Sequence, residues 1–254
     1  MRIQILNKFG LIFISLALLQ TGLLASSSFA APPLGTDDIG TNKANGWETE
    51  FTAGYSEGEG AADDTIAIEG LLKYGITDAL RIDVGLPYEF RQRKAQSDVD
   101  AVGDIKLHLK YRLNNETESL PGLALRGDVN FKTDSRISQG GEDFHVFGIL
   151  EKTFEPIIVD INLGYRNVDQ AINGNTDIFT YAGSIRWVLN DAFRLVGELT
   201  GNDSGGMGAD NPLEILAGIQ HTCAPGQVGS IGVGIGLTDS SPDWRIVIGL
   251  HNVF

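Results

Sequence analysis

Residues 104–113 read Asp-Ile-Lys-Leu-His-Leu-Lys-Tyr-Arg-Leu, in which polar and apolar side chains alternate without a break. Because side chains on a β-strand point alternately to opposite faces, this stretch predicts a strand with one apolar and one charged face. Its length matches the roughly 9–11 residues that a tilted strand needs to cross a bilayer. Similar stretches recur as far as the last residue, Phe254. Alternation of this kind is typical of a membrane-spanning β-barrel.

The repeated alternation predicts an all-β protein, a transmembrane antiparallel up-and-down β-barrel of about 12 strands with both termini periplasmic. The stretch 143–154 carries apolar residues on both faces, so its register stays open. Pro87 cannot donate a hydrogen bond to a neighbouring strand, which indicates a bulge or the outer end of a strand. The predicted strands lie near 46–56, 65–76, 79–91, 103–113, 122–133, 143–154, 156–167, 177–189, 192–201, 212–221, 228–238 and 243–254.

The connections between these strands alternate between short and long. Outer-membrane barrels have short periplasmic turns and longer outside loops, whereas a water-soluble sandwich has no reason to sort its connections by length. Aromatic residues lie mostly near strand ends, as the girdles at the two bilayer interfaces require. The short set comprises 77–78, 155–156 and 190–191, with 114–121 and 222–227 somewhat longer; the long set comprises 57–64, 92–102, 134–142, 168–176, 202–211 and 239–242.

The N-terminal residues predict export. Arg2 and Lys8 precede an apolar run, and Ser28-Phe29-Ala30 provides the small residues of a cleavage site after Ala30. The alternative, a transmembrane anchor, is disfavoured because polar residues interrupt the run. No later segment approaches the ~18 consecutive apolar residues of a spanning helix. The expected organisation is a signal peptide (1–30), a periplasmic lead-in without regular structure (31–45) and an outer-membrane barrel (46–254).

The charge balance is acidic, with 33 Asp and Glu against 19 Lys and Arg, a formal net charge of −14. This surplus argues against binding to nucleic acid or to an anionic membrane surface. It fits a cell-surface rim that meets divalent cations. Since Cys223 is the single cysteine, no internal disulfide can form.

Three segments together resemble the outer-membrane transporter family named for the MetA pathway of phenol degradation. The resemblance implies a Gram-negative outer-membrane channel or transporter, often associated with the degradation of aromatic compounds. It provides no substrate-contacting residues. The segments are 33–41 (Pro-Leu-Gly-Thr-Asp-Asp, then Gly-Thr) before Trp47-Glu48; 74–88 with 103–112; and 236–245 (Gly-Leu-Thr-Asp-Ser-Ser-Pro-Asp-Trp-Arg).

The last strand also resembles the C-terminal signal that the barrel-assembly machinery reads, with Phe254 as the final aromatic residue. Asn252 and Val247 depart from the usual pattern of that signal. The resemblance therefore implies the assembly machinery as a partner.

Residues for catalysis or metal binding are not evident. The four histidines are too scattered for a zinc site, and no Gly-x-Ser-x-Gly motif occurs. We therefore expect no enzyme activity, no cofactor and no metal; a membrane-embedded hydrolase is the disfavoured alternative. Carboxylates in the long loops could bind Ca²⁺ or Mg²⁺ shared with lipopolysaccharide, although a solvated acidic rim is the simpler interpretation.

The polar face of the strands is the candidate solute pathway. On closure, a basic wall would lie beside acidic ones. Either opposite charges pair and fill the interior, or a transverse field aligns a polar or anionic solute. The basic candidates are Arg81, Arg91, Lys106, His108, Lys110, Arg112, Arg126 and Lys132, and the acidic candidates are Glu48, Glu50, Glu69, Glu198 and Glu214.

These patterns predict an outer-membrane channel that takes up small solutes, with aromatic or anionic compounds as candidates. The alternative is a non-conducting barrel that stabilises the envelope or presents loops. Side chains fill a barrel of about eight strands, whereas 16–18 strands leave an aqueous channel. Twelve strands lie between these cases, so the strand number does not decide whether the lumen is open. Expected partners are outer-membrane lipid, lipopolysaccharide, the assembly machinery and a small solute.

Overall fold

The computed structural model describes residues 31–58, 64–93, 97–134, 136–137, 141–172, 174–205 and 210–254. The predicted signal peptide therefore lies outside the described residues. Within them, no helix is long and apolar enough to cross a membrane. The β-segments are β1 (Trp47–Glu57), β2 (Asp64–Thr77), β3 (Leu80–Gln92), β4 (Val99–Val102), β5 (Ile105–Asn114), β6 (Gly122–Phe131), β7 (Asp143–Phe154), β8 (Ile157–Ile172), β9 (Asn175–Val188), β10 (Phe193–Asn202), β11 (Leu213–Ala224), β12 (Gln227–Gly236) and β13 (Trp244–Val253).

The sheet closes on itself. Successive strands pair antiparallel, and β1 pairs with β13 in a register that sets Glu50 opposite His251. The N–H of Phe254 donates to the carbonyl of Trp47 at 2.9 Å, next to this seam. Closure leaves no unpaired edge, which is the condition for a sheet in lipid. The predicted all-β antiparallel barrel is confirmed.

One strand of the barrel wall is interrupted. Both β4 and β5 pair with β3. The partner of β4 is the C-terminal part of β3, and the partner of β5 is its N-terminal part. Pro87 lies opposite the interruption, where its carbonyl accepts from the N–H of Gly103 at 3.0 Å. Together β4 and β5 form one position in the wall, which gives a barrel of 12 strands. The bulge that Pro87 predicted is confirmed, since proline cannot donate to the strand beside it.

The opening stretch illustrates why the strands form. On β5, Leu109 is 49% exposed and Leu113 is 59% exposed, whereas His108 and Lys110 are buried. The apolar side chains thus face outwards, the reverse of a water-soluble fold. Most large exposed hydrophobic residues lie on the outer face of a strand, and such an apolar band is what lipid contacts.

The connections define two ends. At the short-turn end lie residues 78–79, 115–121, 155–156, 189–192 and 225–226, together with the start of β1; the other end is the long-loop end. The long loop predicted at 168–176 is wrong, because β8 and β9 extend into this region as a hairpin that pairs Ile172 with Asn175. Aromatic pairs lie at both ends, Trp47–Tyr74 at 4.6 Å and Tyr55–Trp244 at 5.2 Å between ring centroids.

The N-terminal segment, residues 31–45, lies against the inner wall of the barrel. As expected it has no regular secondary structure. It is not a lead-in outside the barrel, however, because Ala31, Thr36, Asp38 and Ile39 are all buried. Hydrogen bonds to the wall explain this position, which strand alternation could not predict.

Candidate functional site

Glycines make room for the beginning of the N-terminal segment. A Cβ on Gly249 would lie 2.2 Å from Cβ of Pro32, and one on Gly232 would lie 2.7 Å from Cγ of Pro33. Any larger residue at these two positions would collide with the proline rings. The amide of Gln220 on β11 donates to the carbonyl of Ala31 at 2.8 Å. The space beside Gly232 on β12 and Gly249 on β13 is therefore occupied by the segment.

Asp37 lies between two cations of the wall. Nζ of Lys110 on β5 donates to Oδ1 of Asp37 at 2.7 Å. Nη1 of Arg126 on β6 donates to Oδ2 at 2.8 Å. Each oxygen of this carboxylate thus accepts a charge-assisted hydrogen bond, the stronger class of hydrogen bond in proteins.

The peptide groups around Asp37 are also bound by the wall. Asn162 on β8 accepts from the N–H of Asp37 at 2.7 Å and donates to its carbonyl at 2.8 Å. Oγ1 of Thr36 donates to Glu198 on β10 at 2.6 Å. Nη1 of Arg81 on β3 donates to the carbonyl of Gly40 at 3.1 Å. The segment therefore bridges strands on opposite sides of the lumen.

Asp38 connects the same cluster to β9. Its carbonyl accepts from Lys110 at 2.8 Å, and its Oδ2 lies 4.0 Å from Nη1 of Arg186. Arg186 is itself paired with Asp160 at 3.0 Å and with Glu151 at 2.6 Å. In an open, water-filled barrel these wall side chains would contact water. Here Lys110, Arg186 and Asp160 are fully buried. The lumen is filled at this level.

Ile39 packs on an apolar patch of the inner wall, formed by Ala124, Phe147 and Ile149. This contact explains the double apolar pattern of β7. Phe144 and Val146 are exposed on the outer face, while Phe147 and Ile149 face the lumen. The second apolar face of that strand is where the N-terminal segment is buried.

The segment leaves the lumen at the short-turn end. Thr41 donates to the carbonyl of Asp78 at 2.7 Å, and the N–H of Ala44 donates to the carboxylate of Asp78 at 2.9 Å. The N–H of Asn45 donates to the carbonyl of Gly75 at 2.8 Å. The chain then enters β1, so the segment is anchored at both of its ends.

Opposite charges pair along the wall. The structure places most predicted lumen residues in ion pairs rather than in separate basic and acidic walls, as the first of the two interpretations required. The pairs are Glu48–His251 (3.1 Å), Glu50–Lys73, Glu69–Lys106 (2.7 Å), Arg81–Asp83 (2.7 Å), Arg126–Asp128 (2.7 Å) and Glu214–Arg245 (2.6 Å), with Glu198–Arg245 at 3.7 Å and His108 beside Arg126 (2.7 Å).

Three predicted basic residues lie away from this cluster. Arg91 pairs with Glu89 at 2.7 Å and donates to the carbonyl of Ile137, near the long-loop end. Lys132, at the same end, lies 3.1 Å from Asp104 and 3.2 Å from Asp143. Arg112 donates to the carbonyl of Asp78 at the short-turn end.

A cavity of about 330 Å³ lies beside the segment, towards the long-loop end. One side is formed by Pro32, Leu34 and Gly35 of the segment. The other side consists of inward residues of β1, β2, β5 and β6, among them Glu50, Thr52, Glu69, Leu71, Lys106, His108, Arg126, Asp128 and Asn130.

The loop carboxylates make protein contacts. Asp64 accepts from the N–H of Gly58, and Asp203 accepts from the N–H of Phe179. The side chain of Arg136 donates to Asp134 and lowers the pKa of that carboxyl to about 2. In the described part of the chain, no group of three or more His, Cys, Asp or Glu residues could hold a metal ion.

Several residues of the site were missed in the sequence. Asp37 and Asp38 belong to a stretch without periodicity, so no strand pattern placed them in the lumen. Asn162 and Arg186 were ordinary members of a polar face. One signal was available, because apolar residues on both faces of β7 require a partner inside the barrel.

Comparisons with known proteins address the fold. No family model and no curated protein matches the chain. Among solved structures, an outer membrane channel from Pseudomonas putida F1 aligns at a TM-score of 0.65 and 14% identity, over 87% of this chain and 100% of that chain. The chain has the fold of outer-membrane channels.

Two porins resemble it as well. The NanC porin aligns at a TM-score of 0.60 and 11% identity, over 80% of this chain and 98% of its own. The KdgM porin, solved in complex with disordered oligogalacturonate, aligns at 0.53 and 10%, over 82% of this chain and 99% of its own. At such identities the likeness concerns the fold.

Proposed function

We propose that this protein is an outer-membrane channel for the uptake of small solutes, with anionic or aromatic compounds as the class taken up. The observation that supports this most is the lumen itself. Its wall is lined with charge from many strands, and what fills it is a segment without strand pairing. Residues 31–41 of this segment can leave without opening the barrel, since their described contacts with the wall are side-chain hydrogen bonds and packing.

The solute pathway follows the predicted lumen residues. It begins in the cavity beside Lys106 and Glu69, passes His108 and Arg126, and reaches Lys110 where Asp37 now lies. Oligogalacturonate, bound by the KdgM porin, is an acidic solute, and basic side chains along a lumen suit such solutes. The resemblance of the sequence to the phenol-degradation family adds aromatic acids to the class.

The remaining features of the proposal concern export and assembly. Residues 1–30 are removed on export, and both termini lie on the periplasmic side. The barrel-assembly machinery recognises Phe254, and the barrel then contacts outer-membrane lipid and lipopolysaccharide. No catalysis is included.

The test is single-channel recording of the purified protein in planar bilayers, with benzoate and phenol as competing solutes. We expect discrete current steps that benzoate reduces more than phenol, because only benzoate is charged. The filled lumen favours one alternative, a non-conducting structural barrel. A folded, heat-modifiable protein that passes no current at any voltage would support that alternative.

A further inference from the structure

The wall around Asp37 recognises a carboxylate with two cations from neighbouring strands. Lys110 and Arg126 each bind one oxygen of Asp37, at 2.7 and 2.8 Å. Arg126 also has a partner of its own in Asp128 at 2.7 Å. Lys110 has no such partner on the described part of the wall. Among the described residues, every hydrogen bond and ion pair of its Nζ goes to Asp37 or Asp38.

The same wall recognises a peptide group. The side-chain amide of Asn162 pairs with both the N–H and the carbonyl of Asp37, at 2.7 and 2.8 Å. Asn162 is itself buried, with 7% of its surface exposed. These two hydrogen bonds recognise backbone amide groups and do not depend on the charge of the side chain that the bound residue carries. The carboxylate and the amide of one residue are therefore bound by separate side chains.

Neighbouring contacts extend the site along the backbone. Glu198 accepts from the hydroxyl of Thr36 at 2.6 Å, and Lys110 donates to the carbonyl of Asp38 at 2.8 Å. Arg186 lies 4.0 Å from the carboxylate of Asp38. Groups on β5, β6, β8, β9 and β10 thus converge on residues 36–38 as on a short acidic peptide.

We infer that this part of the wall is a binding site for short acidic peptides, and that Thr36–Asp38 occupy it as a tethered competitor. The inference rests on the proposed channel function, for which it names the substrate class. When the segment leaves, Lys110 is left without a carboxylate, and an acidic peptide restores its partner. A tethered ligand acts at an effective concentration of order millimolar, so the segment outcompetes a free peptide in the intact protein. Once the segment is removed, a free peptide binds measurably.

The experiment uses a variant that lacks residues 32–41 and the probe acetyl-Thr-Asp-Asp-amide. Binding is measured by calorimetry in detergent, independently of current, and block is measured in bilayers. Acetyl-Thr-Asn-Asn-amide lacks the charges, and succinate lacks the amide. Lys110→Gln and Asn162→Leu are made in the deletion background, with Arg166→Gln as the matched control. Arg166 is a cation of the barrel that pairs with Asp143, towards the long-loop end.

We expect the acidic peptide to bind at least tenfold more tightly than the Asn peptide. Lys110→Gln weakens the acidic peptide and succinate about tenfold alike, as loss of one charge-assisted hydrogen bond requires. Asn162→Leu weakens the acidic peptide several-fold and leaves succinate unchanged. Arg166→Gln changes neither. Arg126→Gln replaces Lys110→Gln if the latter does not fold, as judged by heat-modifiable migration.

Equal binding of the acidic and Asn peptides would overturn the inference, as would binding of the acidic peptide that is insensitive to Lys110→Gln, or to Arg126→Gln where that variant replaces it. In the intact protein the segment competes with the peptide, so the acidic peptide must bind at least tenfold more weakly there than to the deletion variant; equal affinities for the two proteins would contradict the inference. Peptide binding without current from any variant would sustain the site but refute the channel, so the two failures can be told apart.

Discussion

At the scale of single residues, the decisive contact is the carboxylate of Asp37 between Lys110 and Arg126. Lys110 is fully buried, and a buried ammonium group without a counter-charge is strongly disfavoured. Among the residues that the structure describes, its counter-charges are the carboxylates of Asp37 and Asp38, which the N-terminal segment provides. This contact is the main charged one among the several that hold the segment in the lumen.

Asp37→Asn tests this contact. Removing one partner of a buried ion pair costs roughly 3–5 kcal/mol, and less when water can enter. With about 1.4 kcal/mol for each tenfold change, we expect the ratio of closed to open time in bilayer recordings to fall at least tenfold. Asp134→Asn, which removes a half-buried loop carboxylate paired with Arg136 at 2.6 Å, serves as the control. Similar gating in both variants would show that Asp37 does not hold the segment.

A second prediction concerns close packing at one glycine. Gly249→Val places a branched side chain where Cβ would already lie 2.2 Å from Cβ of Pro32. The segment must shift, and we expect residues 31–41 to become sensitive to added protease while the barrel stays folded. Gly148→Val is the matched control, because a Cβ there meets nothing within 4 Å. Equal protease resistance of the two variants would exclude this packing.

At the scale of elements, alternation alone located the strands. Residues 104–113 predicted β5 because a strand in a barrel wall has one face in lipid and the other in the lumen. Pro87 predicted the bulge for a local reason, because proline has no backbone N–H to donate to the neighbouring strand. The extension of β8 and β9 was not predictable in this way, because polar and apolar residues do not alternate along residues 168–176.

The N-terminal segment shows the limit of such reasoning. It has no period, and its contacts join residues more than a hundred positions apart, such as Asp37 and Asn162. The predicted basic wall is partly neutralised by carboxylates of its own strands, because Asp83 pairs with Arg81 and Asp128 pairs with Arg126. Only the three-dimensional register places these charges side by side.

A third prediction follows from the charges of these elements. Removal of residues 32–41 takes Asp37 and Asp38 out of the lumen and leaves Lys110 and Arg126 facing it. We expect the reversal potential in a salt gradient to shift towards anion selectivity. Lys106, Lys110 and Arg126 changed together to Glu in that variant should reverse the shift. A selectivity that follows neither change would place the ion path elsewhere.

At the scale of the whole molecule, the chain has two parts, the barrel and the N-terminal segment inside it. A closed barrel with an apolar exterior provides the frame, and a segment bound to its inner wall fills the lumen; in the function that we propose, departure of the segment opens the channel. The barrel is stabilised by strand pairing around a full circle. The segment depends on a few charged and apolar side chains, so it can move on its own.

The most direct measurement is the single-channel conductance of the intact protein compared with that of the variant lacking residues 32–41, recorded at the same salt concentration and voltage. We expect brief or small openings from the intact protein and long, larger ones from the variant, because the variant loses the groups that fill the lumen. Identical conductance and open time in two folded, heat-modifiable barrels would contradict the claim that this segment closes a channel.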